Sequence, residues 1–171
     1  MNKKLWLLVG IPGSGKSTWI RNHKDFFTDS YAIVSRDEIR FALLDEGEDY
    51  FNKENLVWKE YVKAAEAALF LNNNTILDAT HLNETSRAKI LRTLASSLKG
   101  VEINAIVINI PIDVAIKQNN LREGRSYVPV SVIRRMNYQM TIPTLEEGFD
   151  HIYIYTISED GKEKYSIIER R

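Results

Sequence analysis

Apolar positions along this chain repeat with two different periods. Short runs of β-branched, aromatic and leucine residues fall at Leu5–Val9, Tyr31–Val34, Thr75–Leu77, Val101–Ile108 and Ile152–Thr156. Each predicts a strand buried on both faces. Between them, apolar residues recur three and four positions apart, which predicts helices over Lys16–His23, Arg36–Leu44, Lys53–Leu71, Glu84–Leu98 (after an Asn83 cap), Ile112–Leu121 and Val130–Met140. Strand and helix alternating in this way predict an α/β fold of three layers, a central parallel sheet with helices on both faces. The tail, from Ile152–Thr156 through Asp160-Gly161 to Tyr165–Ile168, predicts a hairpin that adds an edge strand. No Pro/Gly/Ser-rich linker, repeat or low-complexity tract interrupts the pattern, so residues 1–171 are expected to form a single domain.

Composition narrows the class. A chain of 171 residues, 44% hydrophobic, buries enough surface to dispense with disulfides or structural zinc, and it has no cysteine for either. No run approaches the ~20 apolar residues of a transmembrane helix. The apolar run Leu5–Val9 is too short for a secretory signal, so a cytoplasmic protein without a membrane partner is expected. Lys plus Arg and Asp plus Glu both number 23, giving zero net charge. That argues against a polyanionic partner unless the charges are segregated.

One motif carries chemistry outright. Gly10-Ile11-Pro12-Gly13-Ser14-Gly15-Lys16-Ser17 fits G-x-x-x-x-G-K-[ST], after an apolar strand and before a helical pattern. The glycines let the loop turn its backbone N–H groups inward around an anion, Lys16 brings a point charge to the β- and γ-phosphates, and the Ser17 hydroxyl coordinates Mg²⁺. Gly10, Gly13, Ser14, Gly15, Lys16, Ser17 and Thr18 are therefore the expected nucleotide-binding set, for ATP or GTP with Mg²⁺. A switch GTPase would need an N-K-x-D motif, which is absent, and an AAA machine would need a helical lid subdomain. A kinase needs instead a carboxylate near the γ-phosphate and a mobile basic lid.

Candidates for both parts exist. In Ser35-Arg36-Asp37-Glu38-Ile39-Arg40, directly after a predicted strand, Asp37 is placed to take a proton from an acceptor hydroxyl, with Arg40 one turn along the same face to hold an anionic acceptor group. Alternatively, Asp37 and Glu38 are first-turn acids stabilised by the helix dipole. Asp78, ending the Thr75–Leu77 run, is a candidate either for a metal-bound water or for orienting Arg40. His81 reads as a surface or capping residue before it reads as a base. The polar stretch Leu121-Arg122-Glu123-Gly124-Arg125-Ser126-Tyr127-Val128-Pro129 lies where a lid is expected, about residues 119–128, and Arg122 or Arg125 is placed to stabilise charge on the transferring phosphoryl group.

In combination and order, these segments resemble the kinase domain of polynucleotide 5′-hydroxyl kinases of the phage and eukaryotic type. The matching residues are Gly10–Trp19, Ser35–Arg40, Leu77–Asn83, Val128-Pro129 with the following helix, and Pro143–Asp150. Position 35 departs from the phage pattern, with Ser in place of an amide. The resemblance implies an adenylate-kinase-like P-loop NTPase fold with a short lid, and an ATP- and Mg²⁺-dependent kinase. It further implies that Asp37 activates a 5′-OH of DNA or RNA, that Arg40 contacts the neighbouring phosphate and that a lid arginine contacts ATP. No D-x-D-x-[TV] phosphatase motif is present, so kinase activity alone is expected. The alternatives are a kinase of a small molecule or modified base and a non-catalytic ATP-binding module.

Segment sums resolve the zero charge. Residues 1–24 hold five basic residues and no acid, residues 117–135 hold five basic residues and Glu123, and residues 37–60 hold eight acids against three bases. Such blocks fit contact with one or two terminal nucleotides and a shallow salt dependence, not a long basic groove.

Overall fold

The computed structural model describes residues 2–158 and 160–170. Its sheet has six strands: β1 (Lys4–Val9), β2 (Tyr31–Ser35), β3 (Asn74–Asp78), β4 (Glu102–Asn109), β5 (His151–Ile157) and β6 (Glu163–Glu169), in the order β2-β3-β1-β4-β5-β6. The first five are mutually parallel, and β6 pairs antiparallel with β5 as the edge strand of the expected hairpin. Six α-helices connect them: α1 (Lys16–Asn22), α2 (Arg36–Leu43), α3 (Glu54–Leu71), α4 (Glu84–Thr93), α5 (Ile112–Asn120) and α6 (Val130–Gln139).

The period-two pattern of β1 divides the core. Leu5, Leu7 and Val9 face a cluster built with Tyr61, Ala65 and Leu69 of α3 and Ile90 of α4. Trp6 and Leu8 face the opposite cluster, built with Trp19 and Ile20 of α1, Ala115 of α5 and Ile133 of α6. Helices therefore cover both faces, and the fold is the three-layer α/β arrangement that the pattern predicts.

Local signals set the helix starts. Asn83 caps α4 in a reciprocal box with Ser86, and the Ser35 hydroxyl accepts from the Glu38 N–H to cap α2. The Glu84–Leu98 expectation runs long: α4 stops at Thr93, and Ala95–Leu98 tightens into a 3₁₀ turn where Ser96 and Ser97 compete for backbone hydrogen bonds.

Two buried polar groups behind β1 and β3 brace the working edge. Arg87, with no exposed surface, pairs with Glu147 through Nε–Oε2 at 2.6 Å and Nη2–Oε1 at 2.8 Å, and its Nη1 donates to the carbonyls of His81 and Thr141. His81 is itself buried, against the expectation of a surface or capping residue. Its Nδ1 lies 2.6 Å from the Leu8 carbonyl oxygen, its Nε2 lies 3.3 Å from the Tyr61 hydroxyl, and its φ of 41° turns the chain sharply after β3. The next carbonyl upstream, Thr80, accepts from Gly10 N–H at 3.1 Å, so this turn fixes the start of the glycine loop.

Truncating Arg87 to Met strands the Glu147 carboxylate in the interior, and the loss in urea unfolding free energy should be about 3–5 kcal/mol. A double replacement of Arg87 and Glu147 by Met should recover much of it; a single variant within ~0.5 kcal/mol of the parent would contradict the role given to the pair.

Candidate active site

In a sheet of order 2-3-1-4-5 the chain leaves β1 toward β2 and leaves β3 toward β4. A crevice opens at the carboxyl ends of these adjacent strands, where connections diverge. The glycine loop follows β1 and Asp78 ends β3, and the two meet there: the Ser17 hydroxyl donates to Asp78 Oδ2 at 2.8 Å. Asp37 enters from the neighbouring strand end, in the first turn of α2. All line one cavity of about 790 Å³, which the lid residues Arg122–Pro129 border from the other side.

The loop is shaped for an anion. Gly13 and Gly15 adopt φ of 79° and 91°, and a Cβ at Gly13 would lie 2.3 Å from the Ala115 carbonyl of α5, so only glycine lets the loop lie this close to α5. Lys16 Nζ donates to the carbonyls of Gly10 and Ile11 at 2.9 and 3.0 Å. Burial lowers its pKa from the ordinary 10.5 to about 8, with Arg122 adding to the effect and Asp78 and Asp37 opposing it. A buried ammonium short of counter-charge suits phosphate oxygens.

Asp78 answers the open choice between metal and Arg40, since its hydrogen bond is to Ser17, while Arg40 bonds elsewhere. Burial raises the Asp78 pKa, against the pull of Lys16 and the Ser17 hydrogen bond, and a cation beside it would counter that rise. Among the described residues no cluster of three His, Cys, Asp or Glu side chains forms a metal cage. Ser17 and Asp78 instead fit Mg²⁺, which is typically held by one or two protein groups with phosphate oxygens and waters.

Asp37 is held from one side. Its Oδ1 accepts from Arg40 Nη1 at 2.9 Å and from the Tyr50 hydroxyl at 2.6 Å. Arg40 is buried and also donates to the Tyr50 hydroxyl at 2.7 Å and to Glu54 Oε2 at 2.6 Å, while Arg36 pairs with the other Glu54 oxygen. Its guanidinium lies 4.2 Å from the Tyr50 ring centroid. Burial opposes the Arg40 charge, but Glu54, Tyr50 and Asp37 more than offset it and its pKa rises. The resemblance puts Arg40 on an acceptor phosphate; here it stands behind Asp37, whose side chain is 62% exposed against 5% for Arg40. Tyr50 and Glu54 were not singled out from sequence. Their only signal there is membership of the acidic stretch after α2, which reads equally as a solvated loop.

The lid arginines separate. Buried Asn119 ties the lid's ends together, its Nδ2 donating to Val128 O at 2.7 Å and its Oδ1 accepting from Val128 N–H at 3.0 Å. Arg122 lies close enough to Lys16 and Asp78 to act on the titration of both. Arg125 reaches the end of α2 instead, donating to the carbonyls of Asp45 at 2.9 Å, Leu44 at 3.4 Å and Phe41 at 3.5 Å.

Cradle, Ser17–Asp78 pair and sheet order define a P-loop nucleotide-binding domain of the kinase-like kind. The sequence matches the family described as "AAA domain" over residues 5–143, and the chain belongs to that family. The sequence-based exclusion of an AAA machine concerned a helical lid subdomain. Among the described residues beyond 143 there is a 3₁₀ turn and the β5–β6 hairpin, with no further α-helix.

Solved structures with similar folds include a chain of the Pnkp1/Rnl/Hen1 RNA repair complex, 27% identical with a TM-score of 0.63, aligned over 81% of this chain and 44% of that one. A second structure of the Pnkp1/Rnl/Hen1 complex gives 28% identity, a TM-score of 0.56 and coverage of 72% and 41%. The chain thus spans less than half the length of these proteins. A chain of the PezAT toxin-antitoxin system of Streptococcus pneumoniae, 21% identical with a TM-score of 0.66 and coverage of 96% and 71%, shares the fold. So does a gluconokinase from Sinorhizobium meliloti, 14% identical with a TM-score of 0.57 and coverage of 91% and 83%. No helix among the described residues is long and apolar enough to cross a membrane.

A folded Lys16 pKa of about 8, below the unfolded 10.5, means that the folded protein holds fewer protons between those values, so this group makes stability rise with pH across that window. Binding of a polyphosphate reverses the shift. Calorimetric titration of ATP at about pH 9, in buffers of different ionisation enthalpy, should therefore show net proton uptake that is absent at pH 7 and in Lys16→Met. Equal uptake in that variant would place the proton elsewhere.

Proposed function

We propose that this domain is an ATP-dependent phosphotransferase that moves the γ-phosphoryl group to a hydroxyl, the acceptor being the 5′-OH end of DNA or RNA. The observation that carries the reaction type is Asp37. Its carboxylate is fixed through Oδ1 by Arg40 and Tyr50, and it lines the same cavity as Lys16, Ser17 and Asp78. Support for the acceptor comes from the 27% and 28% identity to chains of the RNA repair complexes and from the order of the matching segments.

In this reading the glycine loop and Lys16 hold the β- and γ-phosphates of ATP, while Ser17 directly and Asp78 through a water hold Mg²⁺. The metal, when bound, supplies positive charge that neutralises the phosphoryl oxygens. Asp37 takes the proton of the acceptor hydroxyl as its oxygen bonds to the γ-phosphorus. The bond from that phosphorus to the β–γ bridging oxygen breaks, and ADP leaves. Arg122 bears on the phosphates, and Arg125 fastens the lid to α2.

A kinase of a small molecule or modified base is the second reading, favoured by one observation: the acceptor side of the cavity carries the carboxylates Glu48 and Asp49 and no basic side chain free of a partner among the described residues.

With Mg²⁺ and γ-labelled ATP, a 5′-OH oligonucleotide should become labelled. Asp37→Asn should lose roughly 10²–10⁴ in rate while still binding ATP. An unchanged rate would remove Asp37 from the chemistry, and labelling of nucleosides or sugars but of no oligonucleotide would select the second reading.

A further inference from the structure

A kinase acting on a nucleic-acid end can recognise the first nucleotide by its backbone phosphate or by its base. Phosphate recognition needs a cation whose own pairing is incomplete. Among the described residues, Arg36 and Arg40 share the two oxygens of Glu54, and Arg40 also bonds Asp37 and Tyr50. Arg125 is engaged with three main-chain carbonyls. Drawing Arg40 onto an acceptor phosphate would leave the Glu54 carboxylate and Asp37 short of a partner, at the penalty attached to an uncompensated, partly buried charge. Glu48 and Asp49 on the same wall would repel the phosphate further.

The rest of that wall is apolar and aromatic. Phe41, Leu44, Val132 and Met136 line the cavity beyond Asp37, and Phe51 and Tyr127 stand along it with 61% and 43% of their surface open. Phe51 is braced edge-on against Tyr50, ring centroids 4.9 Å apart at 83°, and Tyr50 in turn holds Asp37. A ring resting on Phe51 is thus tied through one side chain to the group that takes the hydroxyl proton. A flat ring meets no unfavourable charge here and covers surface that would otherwise face water.

We infer that the acceptor is recognised through the base of its terminal nucleoside, stacked on Phe51, and not through its first backbone phosphate. This rests on the nucleic-acid reading given above and specifies its acceptor subsite. Three acceptors decide it: a 5′-OH oligonucleotide, the same strand with an abasic first nucleotide, and the same strand with an uncharged methylphosphonate as its first linkage.

Losing the base should lower kcat/KM roughly 10-fold to 100-fold, the range of one base–aromatic stack. Losing the charge should change it less than about 3-fold, consistent with a shallow salt dependence. Phe51→Ala, a change at an exposed position, should reproduce the loss on the intact strand and add little on the abasic one, with the KM for ATP unchanged. A methylphosphonate penalty larger than the abasic penalty, or a Phe51→Ala variant as active as the parent on the intact strand, overturns the inference while leaving the acceptor class standing. Failure to label any oligonucleotide or nucleoside, with another hydroxyl compound phosphorylated, overturns both.

Discussion

Parallel strands all end at one edge of their sheet, and in this molecule that constraint assembles the site. β1 delivers the glycine loop, β2 delivers Asp37 and β3 delivers Asp78, so three segments 20 to 40 residues apart in sequence reach one crevice without a dedicated scaffold. Their meeting point is the β1–β3 junction, where the connections diverge and where Ser17 bonds Asp78. The buried pieces behind this edge serve the same geometry. Arg87 holds the His81 carbonyl, His81 lies on the Leu8 carbonyl, and Thr80 accepts from Gly10, so the outlet of β1 is tied to the outlet of β3 by polar contacts that exclude water.

The second organising feature is the uneven treatment of Asp37 and Arg40, two residues one helical turn apart. Asp37 faces the cavity; Arg40 faces the protein and is enclosed by Glu54, Tyr50 and Asp37. An arginine so enclosed acts as a support that fixes one carboxylate oxygen. Tyr50 completes the support from the loop after α2, and Arg125 holds the start of that loop by the Asp45 carbonyl. Lid, loop and Asp37 are thereby joined by hydrogen bonds, an arrangement suited to assembling the site as the lid closes.

Much of the fold was legible from sequence because its signals are local. The runs at Leu5–Val9 and Val101–Ile108 are apolar throughout, as strands covered on both faces must be, and the glycine loop declares itself by spacing. Asp37 and Asp78 could be named because they follow predicted strands. What remained hidden depends on distant partners. Glu147 lies 60 residues from Arg87, and His81 meets Leu8 across 73 residues; nothing in either neighbourhood marks a histidine or arginine for burial. Tyr50 and Glu54 were invisible for a related reason, since an acidic, aromatic loop acquires a role only once it folds over Arg40. The choice between Arg122 and Arg125 likewise depended on where the α2 carbonyls lie in space.

The central claim is that Asp37 acts as the base and is held in place by the Tyr50 hydroxyl. A double-mutant cycle on single-turnover phosphoryl transfer tests it directly, comparing the parent, Tyr50→Phe, Asp37→Asn and the double variant. The account predicts that removing the Tyr50 hydroxyl slows transfer in the parent and has almost no further effect once Asp37 is Asn, because the hydroxyl acts through that carboxylate. Independent, fully additive losses would show that Tyr50 and Asp37 do not act as a unit, and would contradict it.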